Sequence, residues 1–428
     1  MRTPVHVPPG ALRAAASSRR EDAPSRYARR FSRWLVPDLA LVAAAVTLFY
    51  SLFFFGGYRA FFHDSDAGWH IRAGELILSS HALPRSDPFS FTAAGQPWFA
   101  WEWLADVTAG SIHRSWGLGG VAFFYALALA TGVWLWFRLN WAAGGNFLFA
   151  AAFASPMLST TNLHWLARPH VLSWLFLLIT VILAEHLSAR HLPPWRVLPA
   201  VVVGSALWTN IHASFLLGPA ILLIYAAGHL LSPLVFSLDR QLEWTRARNL
   251  GLCALVALGA TLANPYGWDL HRHVLGYLTD TALLDRVGEF QSFNFHLTGA
   301  TQILVTLGLA AWGGFAALTQ KNVAVFLLAV MLLALALRSA RGLPLVALLL
   351  LPLANGSITR ALQSATNLKA GVRRDLDRFF AYSTRLRALD SRCGGFAWAP
   401  VLALLAFALL RAPAIAARTG FPAAEFPV

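Results

Sequence analysis

The segment His63-Asp64-Ser65-Asp66-Ala67-Gly68-Trp69-His70-Ile71-Arg72-Ala73-Gly74-Glu75 directly follows an apolar run that ends at Phe62. It brings together aspartate, glutamate, histidine and tryptophan side chains in a chain that is otherwise mostly apolar. Ionisable groups in or beside a bilayer are costly, and a cluster of them is therefore a candidate functional site. The segment indicates a membrane protein whose first loop carries its polar chemistry.

The composition supports a membrane protein. Of the 428 residues, 57% are hydrophobic and only 13% are charged, whereas soluble domains carry about 25% charged residues. The many long apolar runs predict an all-α polytopic membrane protein. No cleavable signal peptide is evident, because the first apolar run is long enough to remain as an anchor. The two cysteines, Cys253 and Cys393, indicate neither a disulfide framework nor a metal cluster.

The net charge of +14 could indicate a nucleic-acid partner. We reject that interpretation, because the excess is mostly arginine in segments that alternate with the apolar runs, as the positive-inside rule requires. Membrane lipid, through its anionic headgroups, is the expected partner of these segments. The alternation predicts a cytoplasmic N-terminus and an exterior C-terminus.

The same pattern divides the chain into regions. Residues 1–33, rich in arginine and proline, are expected to form a basic, disordered cytoplasmic tail. The other predicted regions are a transmembrane core at 34–354 with exterior loops at 59–117 and 264–299, a basic cytoplasmic loop at 355–394, and the last transmembrane helix with a short exterior tail at 395–428.

About eleven transmembrane helices are predicted. They lie at about 34–58, 119–138, 146–161, 170–188, 197–212, 213–231, 249–263, 300–318, 321–337, 343–354 and 395–412. The first exterior loop also contains two amphipathic segments, at 67–80 and 98–116, which predict helices in the membrane interface.

Asp64 and Asp66 are the first candidates for catalysis. In an extended segment residues i and i+2 point the same way, and the two carboxylates could act on one ligand. They could supply a general base for an acceptor hydroxyl, or bind a divalent cation such as Mg²⁺ or Mn²⁺. The structural alternative is that Asp66 caps the helix that begins near Ala67. Capping does not explain Asp64, and Asp64→Asn is therefore expected to leave the helix start intact.

Further candidates for substrate binding lie in the first loop or at helix ends predicted on the same exterior side. His70 lies four residues after Asp66 and shares a helix face with it, although a structural role is the alternative. The arginines could bind phosphate or extend to lipid headgroups. The candidates are His70, Glu75, Glu102, Arg168, His170, Asn210, His212, Glu289 and Arg341.

Several motifs together resemble a known superfamily, whereas P-loop, GxGxxG and HExxH motifs are absent from the sequence. The motifs are Asp64–Glu75, Pro84-Arg85-Ser86-Asp87-Pro88-Phe89-Ser90-Phe91-Thr92, Trp101-Glu102-Trp103-Leu104, Trp208–His212 and Asn264–Gly267. With the helix order, they resemble the GT-C superfamily of membrane glycosyltransferases, and within it a bacterial group of multi-pass proteins. The resemblance covers most of residues 34–354.

The resemblance implies a GT-C-like fold in the bacterial inner membrane. It implies an inverting transfer of a sugar from a polyprenyl-phosphate donor to a periplasmic acceptor, which could be a glycan, a lipid or a protein. It also implies that Asp66, or secondly Asp64, is the base or metal ligand. Arg168, His170 and Arg341 would then lie beside the donor phosphate.

Two other classes of function stay open. A transporter or flippase for a lipid-linked or anionic substrate would typically have interrupted helices and inverted repeats. No such repeat is evident, and the charged residues cluster at one predicted surface. The other class is a non-catalytic membrane scaffold that keeps the fold without the reaction.

Overall fold

The computed structural model describes residues 31, 33–189 and 193–422. These residues are mostly helical, and the two isolated bridges among them belong to no strand. Apart from residues 31 and 33, the predicted basic tail lies outside the described part of the chain.

We label the longer helices in chain order. They are α1 (Leu39–Phe53), α2 (Asp66–Ser80), α3 (Trp103–Ala142), α4 (Phe147–Thr161), α5 (His170–Ala189), α6 (Leu198–Thr209), α7 (Ala213–Val235), α8 (Arg240–Ala260), α9 (Trp268–Thr279), α10 (Ala300–Thr319), α11 (Val323–Arg338), α12 (Ala340–Ser364), α13 (Ala370–Asp390) and α14 (Trp398–Leu410). Short helices lie at Gly57–Ala60, Thr281–Leu284 and Pro413–Ala416. Separate 3₁₀ turns lie at Asn162–His164, Pro194–Arg196 and Gly288–Phe290.

Within the described residues, five helices are long and apolar enough to cross a membrane, namely α3, α5, α7, α10 and α12. The apolar helices α1, α6, α11 and α14 are shorter. Each span predicted from the sequence overlaps one of the helices, which agrees with an all-α protein inserted in a membrane. The count of eleven spans stays a prediction.

Helix α12 forms the centre of the bundle, since residues 342–359 are all buried. Small residues let the helices of the bundle approach closely. A Cβ on Gly313 of α10 would lie 2.1 Å from the Cβ of Ala354, and one on Gly228 of α7 would lie 2.2 Å from the Cα of Ala324 in α11. Helices in lipid associate largely through such close van der Waals contacts.

The first loop packs against the bundle at one end. Helix α2 crosses the first half of α3 at Gly74 and Gly110, where the two backbones touch. The segment after α14 returns to the same end, because Arg59 Nε donates to the carbonyl of Arg418 and the Phe421 ring lies 5.3 Å from that of Phe62. These contacts fix the start of α2, where the acidic residues lie.

The predicted amphipathic helix at 98–116 and the predicted span at 119–138 are two parts of one helix, α3. A break at Gly117, with φ 65° and ψ −166°, separates them. Side chains other than hydrogen are essentially excluded from this backbone region. Gly117 therefore lets the interfacial part of α3 change direction as it enters the apolar part.

Gly117→Ala is expected to destabilise the protein by about 1–3 kcal/mol, because alanine cannot adopt this conformation without strain. The measurement is the midpoint of thermal unfolding in detergent. Gly119→Ala is the matched control, since a Cβ there also meets no atom within 4 Å and alanine favours a helix by about 1 kcal/mol over glycine. Equal midpoints for the two variants would contradict a role for the break.

Candidate functional site

The ion-pair cluster consists of Asp64, Asp66, Arg168, Glu289 and Arg341. Arg168 lies in the turn before α5 and is its centre. Its Nη1 lies 2.6 Å from Asp64 Oδ2 and 3.0 Å from Glu289 Oε1, and its Nη2 lies 2.6 Å from Asp66 Oδ2. The adjoining residue anchors this turn, because the backbone N–H of Ala167 donates to the carbonyl of Phe61.

Glu289 links Arg168 to Arg341. Both Nε and Nη2 of Arg341 lie 2.6 Å from Glu289 Oε2, and the Arg341 guanidinium lies over the Phe290 ring at 4.3 Å. Burial opposes ionisation of Glu289, but the charges of Arg341 and Arg168 outweigh it and lower the pKa of this carboxyl. Three carboxylates thus share two guanidinium groups.

The start of α2 differs from the alternative that Asp66 caps the helix, and from the expectation that capping does not involve Asp64. Asp64 Oδ1 accepts the backbone N–H of Asp66 at 2.8 Å, while Asp66 is the first residue of the helix. A short acidic side chain readily binds the N–H two residues later, which is an Asx-turn. Asp64 therefore has a structural role in addition to its ion pair with Arg168.

The acid–histidine chain is a second group of side chains, formed by the buried Asp106, His70 and Glu102 and the partly exposed His212. His70 Nδ1 lies 2.7 Å from Asp106 Oδ1, and its Nε2 lies 3.5 Å from Glu102 Oε2. The other oxygen of Glu102 lies 3.5 Å from His212 Nε2. The chain joins α2, the start of α3 and the turn before α7.

Burial and neighbouring charges set the protonation of this chain. Burial would lower the pKa of His70, but the Asp106 and Glu102 carboxylates outweigh it and raise that pKa. Burial raises the pKa of Glu102 to about 7, although His70 and Arg168 oppose the shift. Burial, assisted by Arg341 and Arg168, lowers the pKa of His212 to about 3. His212 is therefore neutral near pH 7, while Glu102 can bind or release a proton.

The sequence missed Asp106 as a member of the site. It lies four residues after Glu102, and that spacing puts the two acids on one helix face. The proximity of Asp106 to Glu102 could have been predicted from this spacing together with a helix start near Trp103. The contact of Asp106 with His70 could not have been predicted, because it depends on the crossing of α2 and α3.

Two predicted substrate-binding residues have other partners. The Asn210 side chain accepts from Trp103 Nε1 and donates to the carbonyls of Ala206 and Ala263, which positions the start of α3. Glu75 forms ion pairs with His113 and Arg72. The structure shows neither residue in contact with the ion-pair cluster. Helix α2 directs Glu75 toward the middle of the interfacial part of α3, where His113 lies.

His170 lies beside the acid–histidine chain, with its ring 6.4 Å from that of His212. Its Nε2 lies 2.9 Å from the carbonyl oxygen of His164, which fixes a proton on this nitrogen. The predicted convergence of His70, Glu102, Arg168, His170, His212, Glu289 and Arg341 near the Asp64–Asp66 segment is therefore seen in the structure, as one end of the bundle.

A divalent cation does not fit this arrangement. Across residues 31, 33–189 and 193–422, no group of three or more His, Cys, Asp or Glu side chains is placed to hold a metal ion. Between Asp64 and Asp66 the positive charge is supplied by the Arg168 guanidinium. A cation on these two carboxylates would have to displace Arg168.

No protein-family model matches this chain, and no curated protein is significantly similar to it. The site itself must therefore carry the inference of function.

Proposed function

We propose that this protein is a GT-C-like glycosyltransferase with about eleven membrane spans. It transfers a sugar from a polyprenyl-phosphate donor to a periplasmic glycan, lipid or protein in the bacterial inner membrane. The observation that carries the proposal is the sharing of Glu289 by Arg168 and Arg341 at one end of a bundle of apolar helices.

Two guanidinium groups on one carboxylate suit a phosphate that replaces the carboxylate. Arginine presents paired N–H donors that match phosphate oxygens. A polyprenyl-phosphate sugar carries one negative charge, and a second develops on the phosphate as the bond to the sugar breaks. Cations placed where charge develops stabilise the transition state. Arg168 and Arg341 would provide that charge, and the apolar helix surfaces would accept the polyprenyl chain.

The reaction is a single displacement with inversion at the anomeric carbon. The acceptor oxygen forms its bond to that carbon as the bond to the phosphate oxygen breaks, and both electrons of the broken bond leave with the phosphate. Asp64 and Asp66 hold the Arg168 guanidinium from one side.

Asp64→Asn is expected to lower sugar transfer about 100-fold, the effect of a small displacement of a positioned group. Asparagine keeps an oxygen for the N–H of Asp66 and removes only the negative charge that Asp64 presents to Arg168. The unfolding midpoint should therefore change little. The measurement is transfer from polyprenyl-phosphate sugars, offered one at a time to the purified protein with a bacterial envelope extract as acceptor.

The matched control is Asp269→Asn, an exposed aspartate whose nearest ion-pair partner, Arg272, is also exposed. Wild-type transfer in Asp64→Asn would overturn the site. Failure of the wild-type protein to use any polyprenyl-phosphate sugar would overturn the proposed function.

A further inference from the structure

We propose that Glu102, held between His70 and His212, takes the proton from the acceptor hydroxyl. Acid–base chemistry then belongs to the acid–histidine chain, and phosphate binding to the ion-pair cluster. This inference rests on the proposed function and assigns its base.

The side chain of Glu102 is available for this role. Glu102 lies just before α3, with φ −107° and ψ 20°, and its side chain makes no cap hydrogen bond to the helix. Within the described part of the chain, its ion-pair contacts are to the two histidines alone. Asp64, Asp66 and Glu289, by contrast, each contact Arg168 directly.

Hydrogen bonds fix the tautomers of the two histidines. The backbone N–H of Ser214 donates to His212 Nδ1 at 3.2 Å, and the proton of neutral His212 therefore lies on Nε2, toward Glu102. His70 Nδ1 lies 2.7 Å from Asp106 Oδ1 and carries a proton there. His70 Nε2 then faces the other oxygen of Glu102 and can give or take a proton. Glu102 thus lies between a fixed donor and a nitrogen that can share its charge.

The surroundings keep a proton exchangeable at Glu102. The ionisable groups that face it are His70, Asp106, Arg168, Arg341, His212 and Tyr125. Burial raises the pKa of Glu102 to about 7, which His70 and Arg168 oppose. A general base works best when its pKa lies near the working pH. Above a pH of about 7 the Glu102 carboxylate is ionised and can accept a proton.

The step balances in atoms and charge. The acceptor O–H bond breaks and its proton moves to a carboxylate oxygen of Glu102. The electrons of that bond remain on the acceptor oxygen as its bond to the anomeric carbon forms. The donor phosphate leaves with the electron pair of its own bond to the sugar, beside Arg168 and Arg341. Glu102 then shares the proton with His70 Nε2, which lies 3.5 Å from its Oε2, before the proton exchanges with solvent.

Glu102→Gln tests the inference in the full-length protein in lipid nanodiscs. We expect transfer to fall about 10²–10⁴-fold, the usual contribution of a general base. The rise of the wild-type rate through a pKa near 7 should disappear. The affinity for the donor, measured by thermal shift, should stay within about twofold of the wild-type value because Arg168 and Arg341 are unchanged. Glu102→Asp should keep part of the rate and the pH dependence.

Infrared difference spectroscopy gives a second measurement that needs no substrate. The wild-type protein should show a carboxyl band that titrates near pH 7, and Glu102→Gln should lack it. An unchanged band, or transfer by Glu102→Gln at the wild-type rate and pH profile, would overturn the base role alone. Asp66→Asn is the comparison and should weaken donor binding while keeping the pH profile. No transfer by the wild type would overturn the proposed function itself.

Discussion

Replacing Arg168 by glutamine should destabilise the protein by about 3–5 kcal/mol at pH 7, the usual cost of breaking a largely buried ion pair. The Arg168 side chain is only 14% exposed and contacts three carboxylates. Without it, only Arg341 would remain in the cluster to oppose their charges. The same substitution should remove measurable binding of a polyprenyl-phosphate donor, because glutamine is uncharged and lacks the paired N–H donors of arginine.

The stability deficit should depend on pH. Arg341 and Arg168 lower the pKa of Glu289 in the folded state, against the effect of burial. A lowered carboxyl pKa stabilises the fold above the unfolded-state pKa of about 4.3, and this contribution is lost as pH falls through the folded-state pKa. Removing Arg168 removes part of that contribution. The difference between wild type and Arg168→Gln should therefore be largest near neutral pH and shrink below about pH 4.3.

Two variants control for charge and position. Arg168→Lys keeps the charge without the planar pair of donors and should lie between wild type and Arg168→Gln. Arg378→Gln removes an exposed pair with Asp375, for which a loss of at most about 1 kcal/mol is expected. The measurement is chemical unfolding in detergent at pH 7 and at a pH well below the unfolded-state carboxyl pKa of about 4.3. A deficit that is the same at both pH values would contradict the electrostatic explanation.

Gly74→Val should be the most disruptive single substitution in the first loop. A Cβ at residue 74 would lie 1.8 Å from the backbone oxygen of Asp106, a contact that no rotamer can relieve. Overpacking usually costs about 1–3 kcal/mol and sometimes more, and the backbone clash places this variant at about 3 kcal/mol or above. Separation of α2 from α3 should also break the His70–Asp106 hydrogen bond and abolish transfer.

Gly68→Ala is the matched control on the same helix. A Cβ there would meet only the Phe421 ring, at 3.4 Å, which is an ordinary contact. We expect its unfolding midpoint to equal or exceed that of the wild type, since alanine favours helix over glycine by about 1 kcal/mol. The midpoints of both variants are compared in the same detergent. A wild-type midpoint for Gly74→Val would show that the two helices can separate without cost.

The partners of the polar residues were harder to predict than the helices. The Asp64–Asp66 spacing predicted two nearby carboxylates, and the structure places both on Arg168. It did not predict which of them binds the helix start, because an Asx-turn and an N-cap satisfy N–H groups at neighbouring positions. Glu75 was assigned to the site by proximity in sequence, yet the turn of α2 carries it to His113.

The sequence predicted where the apolar helices lie and which of their ends are polar, but not α9 and α13, which lie in segments predicted as loops. Hydropathy and helical periodicity are local properties, set within one span of about 20 residues. Which polar groups meet depends on how the helices pack. Arg168 lies 104 residues from Asp64 and 121 from Glu289. Those contacts require the helices to approach to the distances that glycine and alanine permit, and such packing depends on all helices at once. The separation of the site into an arginine–carboxylate cluster and a buried acid–histidine chain follows from that packing.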